Sequence, residues 1–249
     1  YNNNNIIKIL NQTKKNTLQF LNHLLEGNIN GYERNDSIGT INPLLWEFGH
    51  IVFFYEYKTL KLLYNNIQNT IVLKNSKDIY DSFIINREDR FSIKLHDLSK
   101  IKYCYEKTID SLISYIQFVE ININPIDNYL IMLGILHNEM HNESFLFSRQ
   151  LLGLSKPDNI KFTLDSCDFI YEDIEFIEIE EGIFKQGSND IIDKFTFDNE
   201  KPSFKTTVNK FCVSKHPITE WQYLQFIKNQ GYKKKEYWCE PGWRWITKN

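Results

Sequence analysis

The spacing of apolar residues changes character at Pro157, and that change constrains the fold more than any other feature of the chain. Before it, Ile6, Ile7, Leu10, Leu18, Leu21, Leu24 and Leu25 recur at three- and four-residue steps up to Gly27, the period of an amphipathic helix. A second apolar stretch runs from Leu44 to about Tyr64 behind Pro43, a residue suited to a first helical turn, where its missing N–H is not needed. A third helix is predicted from Asp97-Leu98-Ser99, with Tyr103, Ile109, Leu112, Ile113 and Ile116 as its apolar face. A fourth follows Pro125 and runs to Leu152, stopped by Gly153 and Pro157. Four such helices, with one long polar connection between the second and third, predict a four-helix bundle over residues 1–155.

Beyond a linker at 156–173 the pattern becomes short and alternating. Phe176-Ile177-Glu178-Ile179 and Val208 to Val213 read as strands, Gly182 and Gly187 as turns, and Thr219 to Asn229 as one helix capped by Gly231. Residues 174–249 therefore predict a separate α+β domain. With only ~75 residues it is expected to bury little core by itself.

Composition narrows the function classes. A net charge of −3 with no dense Lys/Arg patch argues against nucleic-acid binding. The longest apolar run, Tyr129 to Leu136, is far short of the ~20 residues that span a bilayer. No basic segment followed by an apolar stretch opens the chain, and its four scattered cysteines form no CxxC pair. A cytoplasmic location is the expectation.

The densest chemistry lies in His137-Asn138-Glu139-Met140-His141. Histidines at i and i+4 lie about 40° apart on one helical face and can share an ion. Leu130, Gly134, His137, His141, Ser144 and Ser148 form one seam that turns small and polar around them. Such a pair also occurs as surface or core-satisfied histidines, but a third imidazole strengthens the metal reading. His50 sits among Trp46, Phe53, Phe54 and Tyr57, so it too faces inward. Three imidazoles leave coordination positions open, as a catalytic metal needs. Glu47, one turn before His50, offers a 2-His-1-carboxylate variant if one His drops out. Glu143 points away from His141. His23, His96 and His216 read as ordinary surface or packing residues, and Cys104 as a small hydrophobe. In the long connection, Arg87 and Arg90 can clamp a carboxylate or form a solvated charge pair with Glu88 and Asp89.

Taken in order, these motifs resemble a known family. Asn42 to His50, Tyr80-Asp81-Ser82-Phe83 with Arg87 and Arg90, and His137 to Glu143 are similar to the DinB-like bundle of the ergothioneine-biosynthesis sulfoxide synthases. Glu181 to Ser188, Phe197 to Pro202, Phe211 to Thr219, and Gly231-Tyr232 through Trp238 and Trp243 are similar to the formylglycine-generating-enzyme fold (sulfatase-modifying factor, C-type-lectin-like) that follows that bundle. The resemblance implies non-haem Fe(II) held by His50, His137 and His141. It implies O2-dependent joining of a thiol, γ-glutamylcysteine or cysteine, to the imidazole of hercynine, with Arg87 and Arg90 holding the thiol's carboxylates. Related branches take histidine to 5-histidylcysteine sulfoxide, or use selenium donors. A DinB-like divalent-metal thiol transferase or hydrolase is the reading from a different class, and a non-catalytic interaction module the third. In the family a catalytic tyrosine comes from a part of the second domain beyond Asn249, so the chain reads as a fragment. Tyr223, Tyr232 and Tyr237 take no such role, and no catalytic residue is assigned. Glu220 stands where the family commonly has Asn.

Overall fold

The computed structural model describes residues 2–26, 41–64, 71–119, 123–154, 174–188 and 195–248. The chain divides into two compact units, Tyr1–Phe162 and Thr163–Asn249. The linker expected at 156–173, the side chain of His23 and the first turn expected at Gly27 lie outside the described residues.

The first unit is helical. Helix α1 (Asn3–Glu26) buries Ile6, Leu10, Thr13, Thr17, Phe20 and Leu21, a stripe that follows the three- and four-residue steps. Its N-terminus is tied down by Asn3, whose side-chain amide donates to the carbonyls of Ile116 and Val119. Helix α2 (Leu44–Phe54) is buried almost all round. The sequence predicts one α-helix to Tyr64, but the winding changes: Tyr55–Leu60 is a π turn, followed by one α turn, α3 (Lys61–Leu63). The wider turn accommodates four buried side chains, Tyr55, Glu56, Thr59 and Leu60. π turns of this kind commonly accompany functional sites. Glu56 explains part of its position: one carboxylate oxygen accepts from the Val72 and Leu73 amides and the other from Ser76. The carboxylate thus clasps the chain leading into the short helix α4 (Ser76–Tyr80).

Helix α5 (Leu98–Phe118) buries Ile101, Cys104, Tyr105, Thr108, Ile109, Leu112 and Ile116. Tyr103, expected on this face, is instead exposed, with the ammonium groups of Lys100 and Lys107 over its ring. Position 103 lies one residue off the buried rows, and its polar tip and amphipathic ring tolerate water. Helix α6 (Pro125–Leu151) starts at Asn124, whose side chain accepts from the Asp127 amide, with Pro125 in its first turn. It ends before Gly153, which takes the left-handed conformation (φ 66°). Helix α1 packs on α5 and α6, and α2 packs on the same two. The result is a four-helix bundle.

The second unit holds two antiparallel strand pairs. Strand β1 (Phe176–Ile179) pairs with β4 (Phe211–Ser214), Phe176 opposite Ser214. Between them β2 (Gly182–Gln186) pairs with β3 (Phe204–Val208), Gly182 opposite Val208. The single strand expected over Val208–Val213 is therefore two. Val208 closes β3 against β2, Asn209-Lys210 interrupt the pairing, and Phe211 opens β4 against β1. Helix α7 (Glu220–Lys228) begins with a capping box: Thr219 accepts from the Gln222 amide, and Gln222 accepts from the Thr219 amide. Helix α8 (Glu240–Lys248) follows. Gly231 is not the cap of α7. Gln230 takes the left-handed conformation there (φ 59°), and Gly231 is needed because a Cβ would sit 2.1 Å from the Phe226 ring. Among the described residues of this unit Gly231 alone is buried. Phe176, Ile183, Phe184 and Phe204 lie largely open to solvent. No described helix is long and apolar enough to cross a membrane. Among the described cysteines, Cys104, Cys212 and Cys239 are all free.

Candidate metal centre

Three histidines predicted from sequence meet inside the first unit. His50 lies in the middle of α2, and His137 and His141 lie one turn apart on α6. Their nearest nitrogens all fall within 4.8 Å of one another, and the Nε2 atoms of His137 and His141 are 3.3 Å apart. Two nitrogens each about 2.1 Å from one ion and about 90–110° apart are separated by roughly 3.0–3.4 Å. The His137–His141 pair meets that spacing, and the three residues together could hold a metal ion, with ring centroids 4.6 to 5.2 Å apart in edge-on orientations.

The outer nitrogens explain which faces point inward. His50 Nδ1 lies 2.7 Å from the Tyr80 carbonyl and His141 Nδ1 lies 2.7 Å from Glu47 Oε1. A carbonyl and a carboxylate can only accept, so each Nδ1 carries a hydrogen, which leaves Nε2 as the atom of each ring able to ligate an ion. His137 is held differently. Its ring stacks on Phe54 at 3.6 Å, nearly parallel, and its Nδ1 is buried with no hydrogen-bond partner among the described residues. Burial lowers the pKa of His137 to about 2, helped by repulsion from His141 and His50. Burial likewise lowers His50 to about 4, although its bond to Tyr80 opposes the shift. Both rings are neutral bases near pH 7, the form that binds a metal.

Glu47, which the sequence offers as an alternative ligand, lies elsewhere in the structure. Its carboxylate sits behind the His141 ring, on Nδ1, rather than among the three inward nitrogens. Although the three-residue spacing puts Glu47 on the same face of α2 as His50, its carboxylate reaches across to α6, where it meets His141. Glu143 is exposed. Of the other histidines, His216 is exposed and His96 contacts the Tyr80 hydroxyl through both its amide and Nδ1.

Arg87 and Arg90 lie on the connection beside the start of α2. Arg87 donates to the Ile41 carbonyl, and Arg90 donates to Asn42 Oδ1 and to the Ile85 carbonyl. The Arg90 guanidinium lies 4.0 Å above the Trp46 ring, and Trp46 stacks in turn on His50, nearly parallel at 5.2 Å. A ladder of guanidinium, indole and imidazole thus joins the arginine loop to the histidine cluster.

Gly49 invites close approach beside His50, as its sequence position suggests, but the tyrosines that use the space are not legible in the sequence. Gly49 admits the Tyr80 ring, since a Cβ there would lie 2.2 Å from Tyr80 Cε1. Gly134 similarly admits Tyr55, 2.7 Å from a would-be Cβ, and Thr59. On the far side of α6, buried Asn138 and Asn142 and half-buried Glu139 form a network with Thr13 and Thr17 of α1 and Tyr105 of α5. The polar residues inside the HNEMH stretch were the signal for it: a solvated face does not explain Asn138, which is fully buried.

A three-histidine cluster in a helical unit, followed by a strand-rich unit, defines a candidate metalloprotein, and the second unit has a recognisable relative. Residues 171–249 match the family model of the sulfatase-modifying factor enzyme 1-like domain. Over 82% of its length the chain is similar to hercynine oxygenases. It is 24% identical to the protein of Mycolicibacterium smegmatis over 219 residues and 22% identical to that of Mycobacterium tuberculosis over 209. A 49-residue stretch is 31% identical to the hercynine oxygenase of Mycolicibacterium thermoresistibile. The chain spans about half the length of the first two relatives, 46% and 47%.

Proposed function

We propose that this chain carries the metal-binding part of a cytoplasmic, Fe(II)- and O2-dependent sulfoxide synthase. The reaction joins a thiol, γ-glutamylcysteine or cysteine, to the imidazole ring of hercynine. The observation that carries this reading is the convergence of His50, His137 and His141 in one bundle. The similarity of both units, in order, to hercynine oxygenases supports it.

His50, His137 and His141 would hold the iron through Nε2. Bound there, Fe(II) supplies oxygen activation and a positive charge that favours the thiolate form of the substrate. Three neutral ligands keep that charge undiminished at the ligand sphere and leave positions for substrate. Trp46, Phe53 and Phe54 wall the cluster with apolar rings, which exclude water and hold the imidazoles in fixed orientation. Arg87 and Arg90 provide cationic groups for the thiol's carboxylates, and the Trp46 ring positions Arg90 relative to His50.

Anaerobic reconstitution tests the reading. One iron per chain is expected, with thiol addition perturbing the optical spectrum of the loaded protein. Full iron binding by a His137→Ala/His141→Ala double variant would overturn the ligand set. Oxygen-independent consumption of a thiol with an electrophile would replace the reading with a thiol transferase.

A further inference from the structure

We propose that Glu47 is a positioning residue of the metal centre, orienting His141 and supplying the negative charge that offsets a bound dication. The inference rests on the metal reading above and assigns a residue outside the ligand set.

Three features single out this carboxylate. It lies in the bundle interior, 1% exposed, within an otherwise apolar stretch of α2. Its Oε1 takes the Nδ1 hydrogen of His141 at 2.7 Å, across from α2 to α6. Its Oε2 is buried without a hydrogen-bond partner among the described residues. An ionised carboxylate with one hydrogen bond among the described residues and an electrostatic attraction to Arg90 is incompletely compensated in a protein interior. A dication on the opposite nitrogen of the same imidazole supplies that compensation, since the ring transmits charge between its two nitrogens.

The same geometry meets a need of the site. Three neutral imidazoles bring no charge to a dication, and burying that charge uncompensated is costly. Glu47 lowers the formal charge of the buried group from two positive to one without occupying a coordination position. It also fixes the His141 tautomer so that Nε2 is the free donor. Partners of this kind, placed behind a ligand histidine, typically alter metal affinity about 10–100-fold when mutated. The three histidines are unequally supported among the described residues: His141 Nδ1 by a carboxylate and His50 Nδ1 by the Tyr80 carbonyl, while the His137 ring stacks on Phe54 with no partner for Nδ1.

Cobalt(II) serves as the probe, titrated into the whole chain under nitrogen and followed through its visible ligand-field bands. Glu47→Gln keeps an acceptor for Nδ1 and removes the charge; Glu47→Asp keeps the charge but withdraws it by one methylene. The expected result is about 10–100-fold weaker Co(II) binding by Glu47→Gln, with a metal-free melting temperature no lower than that of the wild type. Glu47→Asp should lie between the two. Binding by Glu47→Gln within twofold of wild type would overturn the inference. So would a loss of affinity matched by an equal loss of metal-free stability in both variants, which marks a packing role. Wild-type protein that takes up no Co(II) would instead overturn the metal reading itself.

Discussion

Replacing Gly49 by alanine is the sharpest single test of how the site is built. In the middle of a helix this exchange ordinarily stabilises, by about 1 kcal/mol, because alanine loses less backbone entropy. Here the added Cβ would lie 2.2, 2.4 and 2.6 Å from Cε1, Cζ and Cδ1 of Tyr80. Ordinary contact begins near 3.4 Å, so the ring must retreat by more than 1 Å. Tyr80 has nowhere easy to go. It is fully buried, its hydroxyl contacts the amide and Nδ1 of His96, and its carbonyl holds Nδ1 of His50. Overpacking of this kind costs about 1–3 kcal/mol, and loosening the His50 bond adds about 1 kcal/mol. The propensity gain is outweighed, and Gly49→Ala is expected to destabilise the protein by about 1–3 kcal/mol net. Urea denaturation gives the stability, and cobalt(II) titration gives the affinity, which should fall because His50 loses its fixed orientation. A double-mutant cycle isolates the contact: with Tyr80→Ala in place, Gly49→Ala should turn neutral or stabilising. A Gly49→Ala protein that is more stable than wild type and binds cobalt equally well would refute the account.

Two further outcomes follow from groups outside the ligand set. Burial raises the Glu56 pKa from 4.5 to about 7, against the pull of its bonds to Leu73, Val72 and Ser76. The folded state then keeps a proton that the unfolded chain has released, so stability falls as pH rises from 4.5 to about 7 and levels off above. The stability difference between wild type and Glu56→Gln, from urea titrations across that window, should decline by about 3 kcal/mol; a flat difference sinks the assignment. Asn138→Ala removes the acceptor of the Tyr105 hydroxyl and a donor to Thr17, both buried. It should cost about 1–3 kcal/mol by the same assay, whereas loss of a few tenths would show that the network is dispensable.

The helices were legible because their apolar period is long and regular, and the two starts marked by Pro43 and Pro125 carry physical start signals. The histidine cluster was legible because two imidazoles one turn apart on a seam that turns small and polar, with a third inside a crowded aromatic stretch, are poorly explained as packing. What escaped was cross-helix detail. The Tyr80 carbonyl that orients His50 is a backbone atom and leaves no trace in residue type. Glu47 was seen as a carboxylate near a histidine, but whether it faced the ion or the back of a ring depended on where α6 lies against α2. Tyr103 and the Val208–Val213 stretch were misplaced for a shared reason. Local alternation and local hydrophobicity do not reveal which neighbour a segment will meet.

The meeting of an early and a late helix has its own cause, which the two glycines disclose. Each ligand-bearing helix carries a glycine within a turn of its histidine, Gly49 beside His50 and Gly134 before His137, and each glycine lies under a buried tyrosine ring. Tyr80 over Gly49 draws the end of α4 onto α2, which delivers the carbonyl that holds His50. Tyr55 over Gly134 lets the π turn after α2 lie close on α6, which brings the following and preceding turns of the two helices into reach of one another. A side chain at either position would part the elements, because interiors are packed too densely to absorb an extra methyl without displacement. The close approach that a shared ion requires is thus set by absent Cβ atoms, and the histidines themselves are only the last residues to be placed.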